Sequence, residues 1–300
     1  MTHHHHHTPQ NNRKRLFFSL ALTGLIFVAE LVGGLWTGSL ALLSDAAHVF
    51  MDMFALGLSY LALRAAARPA NDRHTYGYHR LQVLAALANG AMLLLISFEI
   101  LKDAIGRFQN PQPVLAGPML VIAVIGLAVN LVVALVLRQH DHEDLNTRSA
   151  FLHVLGDALA SVGVIGAGIA ILLTGQQWID PLVSILISVL ILFSSGRLLK
   201  ETIHILSEGM PDGMTASAVA NAMQSVAGVS SVHDLHIWTV SPGYVALSAH
   251  VVLADQMLSQ SGVVMQQLKQ QLHDVYEIEH TTIQFECQSC GQEQMFCLHE

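Results

Sequence analysis

Two places in this 300-residue chain pair an imidazole with a carboxylate four residues on: His48 with Asp52, and His153 with Asp157. An α-helix turns once in about 3.6 residues, so residues four apart stack on one face. Each pair therefore offers one nitrogen and one oxygen in the same direction. Two such helices side by side would bring two nitrogens and two oxygens to a single point, a donor set that suits tetrahedral zinc. Both pairs lie in long apolar runs, Leu40–Leu63 and Ser149–Leu173. An unpaired charge in the middle of a membrane helix costs about 2.5–3.5 kcal/mol on insertion scales. The two aspartates together then cost about 5–7 kcal/mol unless a divalent cation or protons compensate them. The bland alternative is a pair of helix-packing hydrogen bonds, and recurrence of the spacing in two separate runs argues against it.

The chain that must position these pairs is 52% hydrophobic and 12% charged, with a mean hydropathy of +0.49. Soluble domains carry about a quarter charged residues, so the composition is that of an integral membrane protein. Six apolar stretches are long enough to cross a hydrocarbon core of about 30 Å: Leu16–Trp36, Leu40–Leu63, Leu81–Lys102, Pro118–Leu137, Ser149–Leu173 and Pro181–Leu199. Arg13, Lys14, Arg15, Arg64, Arg68, Arg73, Arg80, Arg138, Arg148, Arg197 and Lys200 fall on one side of them, and only Lys102 and Arg107 on the other. The positive-inside rule puts the rich side, with both termini, in the cytoplasm. The basic cluster Arg13–Arg15 leads into a full-length span with no cleavage site after it, so no cleavable signal peptide is expected.

Along the second span His48 and Asp52 lie about 12 and 18 Å deep, and the two pairs reach a common level if the fifth helix starts a turn early, near Leu145. Glycines and alanines crowd the fifth span, which points to close packing with the second. Asp45, one turn from His48, is a candidate partner for a metal-bound side chain. Glu30, Asn89 and Asn130 read as inter-helix hydrogen bonds or cavity-lining groups rather than ligands.

Outside the apolar stretches, residues 1–12 form a polar tail with five consecutive histidines, His3–His7, either a purification tag or a native metal-collecting segment. Two inner loops carry histidine, one through Asp72, His74 and His79, the other from His140 to Asp144. After Lys200 the pattern changes. Thr215 caps a helix over Ala216–Val226. Two strands, Val232–Thr239 and Tyr244–Val252, flank a Ser241-Pro242-Gly243 turn, then a helix covers Ser259–Tyr276 and a strand Thr281–Phe285. The expected fold is a membrane all-α six-helix bundle (13–208) plus a small cytoplasmic α+β domain of order α-β-β-α-β (209–286), with a Cys/His tail at 287–300. The domain has candidate ligands in His233, His236, His250 and Glu286, followed by Cys287-x-x-Cys290 and Cys297-x-His299. All three cysteines lie in this tail, so no disulfide scaffold is expected.

These residues resemble the cation diffusion facilitators, in their zinc-transporting branch. The resemblance rests on the two His-x-x-x-Asp pairs and on Leu-Ser-Asp-Ala-Ala-His in the second span. Thr-Tyr-Gly-Tyr-His-Arg in the inner loop and Val-His-Asp-Leu-His-Ile-Trp in the C-terminal domain add to it. It implies a homodimer in the lipid bilayer that exchanges cytosolic Zn2+ for protons by alternating access through His48, Asp52, His153 and Asp157. It also implies that His233, His250 and Glu286 hold a structural or regulatory zinc, joined by Cys287 and Cys290. Some relatives bind metal in the inner loop through an Asp and two His. Asp72 and His74 match here, Tyr78 stands where the second His would be, and His79 resembles an interface ligand of other members. Histidine at position 48 implies zinc preference over cadmium. The short loop between spans four and five implies a bacterial inner-membrane protein. No enzyme activity, nucleic acid or further protein partner is expected. The rival readings are a membrane-anchored metal sensor and an intramembrane metalloprotease. The second would need an open zinc and a His-Glu-x-x-His motif, which the sequence lacks.

Overall fold

The computed structural model describes residues 9–138 and 145–288, with side chains for 21–132 and 158–288. The His3–His7 run, the His140–Asp144 loop, Cys290, Cys297 and His299 lie outside the described residues, as do the side chains of His153 and Asp157. Six long helices come first: α1 (Pro9–Thr37), α2 (Leu40–Ala66), α3 (Arg80–Gln109), α4 (Ala116–Arg138), α5 (Leu145–Thr174) and α6 (Ile179–Leu206). Among the described residues α2, α3 and α6 are long and apolar enough to cross a membrane, while the apolar segments Ala21–Thr37, Ala116–Val132 and Ala158–Thr174 are shorter. Several helices run past their apolar stretches. Hydrophobic length says what a bilayer needs, whereas helix continues wherever polar residues of good propensity follow, as at the end of α6.

The chain forms two compact units, divided at Leu58/Ser59, Leu87/Ala88 and Arg197/Leu198. The division runs through α2, α3 and α6, so each of these helices lends a stretch to both units.

In the first unit the closest helix packing is α4 against α5 and α1 against α4. Small residues make it possible. A Cβ on Gly33 would lie 2.3 Å from Ile122 Cδ1, and one on Gly126 would lie 2.6 Å from Glu30 Oε1. Glycine at these positions lets α1 and α4 approach without displacing Ile122 or Glu30. The glycine-rich α5 packs closely on α4, where Gly168 faces Leu120 and the Ala116 carbonyl. Among the described residues α5 meets α2 through the polar side chains of Ser161 and Asp45. Leu42, Met119, Ala123, Val164, Ala167, Ile187 and Ile191 form the apolar core.

The start of α2 is held by α6. Asp180, fully buried in the first turn of α6, accepts hydrogen bonds from Ser39 Oγ (2.5 Å), Leu40 N (2.7 Å) and Ala41 N (3.3 Å). Ser39 Oγ in turn accepts from Leu42 N at 3.1 Å. The first N–H groups of a helix have no partner within it. Here a neighbouring helix satisfies them with a carboxylate, the charge that the positive end of a helix dipole favours. Hydrogen bonds to a charged acceptor contribute about 1.5–3 kcal/mol each. Arg107 Nη1 donates to the Gly38 carbonyl (2.7 Å) and Leu115 N to that of Thr37 (2.9 Å), tying the same turn to α3 and α4.

The C-terminal domain belongs to the second unit. It comprises α7 (Ala216–Gln224), β1 (Val229–Ser241), β2 (Tyr244–Leu253), α8 (Leu258–Tyr276) and β3 (His280–Glu286). Thr215 caps α7 by accepting from Ala218 N. The sheet order is β1-β2-β3, with β1 and β2 antiparallel and β2 and β3 parallel. Gly243 takes the positive φ (74°) that the β1–β2 turn requires. Both helices cover one face, burying Val219, Met223, Leu247, Val251, Leu268 and Leu272. Leu247 has no exposed surface. Leu247→Ala is expected to destabilise the domain by about 3 kcal/mol, read as faster amide hydrogen exchange across β1–β3 in the full-length protein; an unchanged rate would contradict this packing.

Candidate metal centres

His48 and Asp52 share one face of α2, with Nε2 and Oδ2 3.8 Å apart and each side chain about one-fifth exposed. His153 and Asp157 lie on α5, which begins at Leu145, the early start their depth requires. One contact sets the register between the two helices. Ser161 Oγ donates to Asp45 Oδ2 at 3.2 Å, and both residues are buried. The start of α2 meets the start of α6 through Asp180, and α5 ends just before α6; α2 and α5 therefore run antiparallel. From Asp45 to His48 and Asp52 the chain moves the same way as from Ser161 back to Asp157 and His153. At 1.5 Å per residue this register puts the His48 backbone level with Asp157, and that of Asp52 level with His153. Asp45, a candidate partner from its sequence position, thus meets α5 through Ser161.

The second centre is in the C-terminal sheet. His233 on β1 pairs directly with His250 on β2, and Glu286 ends the adjacent β3. His233 Nε2 lies 3.3 Å from Glu286 Oε2, and His250 Nδ1 lies 2.9 Å from Glu286 Oε1. Among the described residues this is the group of three potential metal ligands whose donor atoms lie within 4.8 Å of one another. His250 Nδ1 and Glu286 Oε2 are buried yet make no hydrogen bond of proper geometry. Two imidazoles and a carboxylate whose donor atoms converge this closely offer room for a cation between them, so the donor set suits a bound zinc.

Behind this trio stands Asp234. Two residues of β1, Asp234 and Leu235, oppose Ala249 alone between the His233–His250 and His236–Ser248 pairs, which is a β-bulge. Asp234 takes a left-handed conformation there (φ 48°). Its Oδ1 lies 3.0 Å from His236 Nε2, and its Oδ2 lies 3.5 Å from His250 Nε2. His236, nearly half exposed, therefore holds Asp234 rather than joining the trio.

The remaining candidates do not gather into such a group among the described residues. The His74 ring stacks on Tyr78 (4.5 Å between ring centres), and the His74 backbone N–H donates to Asn71 Oδ1. His79 packs edge-on against Tyr244 at 5.1 Å. Cys287 is exposed, with its thiol directed at Asp255 Oδ1 (3.8 Å). Two residues escaped sequence reasoning. A regular strand would turn Asp234 away from His233, and nothing local announces the bulge. Asp180 next to Pro181 reads as the start of α6, which conceals its use on α2.

The profile for the cation efflux transmembrane domain matches residues 16–207, and that for the cytoplasmic domain of cation efflux proteins matches residues 211–288. The chain belongs to the cation diffusion facilitator family, zinc branch. This facilitator is 43% identical over 296 residues to the zinc transporter ZitB of Pectobacterium atrosepticum, covering 98% of this chain and 91% of that one. It is 42% identical over 271 residues to the cadmium, cobalt and zinc/H(+)-K(+) antiporter of Bacillus subtilis (89% and 86% covered). It is 40% identical over 279 residues to the metal cation efflux system protein CzcD of Cupriavidus metallidurans (93% and 88%). It is a transmembrane metal-cation efflux transporter with a cytoplasmic dimerisation domain, which supports a homodimer.

Proposed function

We propose that this facilitator moves Zn2+ out of the cytosol in exchange for protons, binding the ion through His48, Asp52, His153 and Asp157. The observation that carries the reading is the Asp45–Ser161 contact, which sets the register of α2 on α5. Six spans place both termini in the cytoplasm of a bacterial cell, with 13–208 in the inner membrane and 209–286 outside it. With zinc bound, two ionised aspartates and two neutral imidazoles bring the site to zero net charge. Without zinc, two carboxylates in a low-dielectric setting need protons, carried on the imidazoles or shared with a carboxylate. Metal and protons therefore exclude each other. Such exclusion, joined to two alternating conformations, is what an exchanger requires. Zinc flux into vesicles holding the purified protein is expected to rise with an opposing proton gradient. Flux indifferent to that gradient would leave a carrier without proton exchange.

In the cytoplasmic domain, His233, His250 and Glu286 would hold a zinc ion that fixes the sheet geometry and favours one arrangement of the dimer. Bound through Nδ1, His250 presents its Nε2–H to Asp234, so the carboxylate fixes the tautomer and tilt of the ring. Loss of such a partner weakens metal binding by about 10–100-fold. Asp234→Asn is expected to weaken zinc by that factor, titrated against a chelating dye on an Asp52→Ala background. Affinity within twofold of the parent would show that His250 needs no such support.

A further inference from the structure

We infer that a cavity between the inner loop and the C-terminal sheet binds the phosphodiester headgroup of an anionic phospholipid. Helices α7 and α8 cover one face of the sheet, where Leu235, Ile237 and Leu247 are buried. Side chains alternate along a strand, so His236, Trp238 and Ser248 lie on the other face, with His236 directly opposite Ser248. A cavity of about 730 Å³ opens on that face, within the range of about 300–1,000 Å³ usual for ligand sites. Its facing wall is the loop before α3, through Arg73, His74 and Tyr76, and it is closed by Arg80 and Glu208.

Charge identifies the ligand as an anion. Arg80 Nη2 lies 3.2 Å from Glu208 Oε1, so these two balance each other. Arg73 lines the same cavity, and among the described residues its guanidinium enters no ion pair. With the imidazoles of His74 and His236 counted as neutral, the lining therefore holds one positive charge in excess. A phosphodiester carries one negative charge, and its paired oxygens match the fork of a guanidinium. Place identifies the source. Arg80 is the first residue of α3, a helix long and apolar enough to cross a membrane, and the apolar run Leu81–Lys102 follows it at once. It thus stands where the span enters the bilayer, at the level of the headgroups. Basic pockets beside membrane helices take anionic headgroups on the cytoplasmic side. Tyr76 and Trp238, each polar at one end and apolar along the ring, are residue types that favour this depth.

The test uses the full-length protein in lipid nanodiscs, with Trp36→Phe and Trp178→Phe leaving Trp238 as the sole tryptophan. Both leaflets carry the same lipid, so the outcome depends neither on the ion-binding reading of His48 and Asp52 nor on which side the loop faces. Phosphatidylglycerol mixed into phosphatidylcholine is expected to shift Trp238 emission to the blue and to saturate, as a headgroup displaces water from the cavity. No shift would overturn the inference. Inorganic phosphate added to pure phosphatidylcholine discs at about 1 mM is expected to shift nothing; a shift equal to that of the lipid would make the ligand a soluble anion and overturn it too. Arg73→Gln is expected to abolish the shift at every phosphatidylglycerol fraction up to about one half. Arg64→Gln removes a basic group at the end of α2 that does not line the cavity. It is expected to keep the shift, with the half-saturating fraction raised less than about fivefold, the share one basic residue gives to general attraction by an anionic surface. Equal losses in the two variants would reduce the effect to surface charge and overturn the site.

Discussion

Asp52→Ala is expected to abolish zinc flux, leaving less than about one hundredth of the wild-type rate. The carboxylate supplies one of two negative charges that match the ion. Without it, zinc meets two imidazoles and one carboxylate and leaves a net positive charge in apolar surroundings. An uncompensated buried charge costs about 3–5 kcal/mol, or about two to four powers of ten in affinity. Folding is expected to survive, because Asp52 lies past the buried first turns of α2 and is one-fifth exposed. Radiometal uptake by vesicles, normalised to folded protein, measures the effect. A sensor that merely sits in the membrane would keep its cytoplasmic metal response after this change, as would this facilitator, but only a transporter loses flux. Uptake above one-tenth of wild type would remove Asp52 from the ion's coordination.

Glu286→Gln is expected to remove the cytoplasmic zinc, lowering its affinity by at least about 100-fold. Each carboxylate oxygen reaches one imidazole, 3.3 Å from His233 Nε2 and 2.9 Å from His250 Nδ1. An amide keeps the shape but loses the charge, and it offers one acceptor oxygen where the carboxylate offers two. The two imidazoles left behind make a weak neutral pair. Equilibrium dialysis should find one zinc fewer per chain, and distances between paired labels on the two domains of the dimer should stop responding to zinc. Transport should continue at a changed rate, since the intramembrane ligands are intact. Retained zinc stoichiometry would exclude Glu286 as a ligand.

Much of this was legible in the chain. Apolar runs located the six long helices, three of which among the described residues are long and apolar enough to cross a bilayer. Thr215, Gly243 and the alternation around His250 gave the C-terminal order because caps, turns and pleats each have local chemistry. His48, Asp52, His153 and Asp157 stood out because charge is costly in lipid. What stayed hidden depends on partners distant in sequence. Asp180 caps a helix some 140 residues earlier. Asp234 serves His250 only because the strand bulges. Ser161, one serine among many, sets the helix register by meeting Asp45. The packing of α5 on α4 was hidden too, because a glycine shows that something comes close but not what.

The order in which β1, β2 and β3 appear along the chain has a consequence during synthesis. His233 and His250 leave the ribosome before Glu286, on the antiparallel pair that forms by a local turn. The acidic donor arrives last, on a strand that joins in parallel after the whole of α8 has been made. A half-translated domain therefore holds His233 and His250 without the carboxylate that bridges them, and on the proposed reading its zinc site is incomplete. On the proposed reading, the ion would be captured only once β3 has docked and the domain is complete.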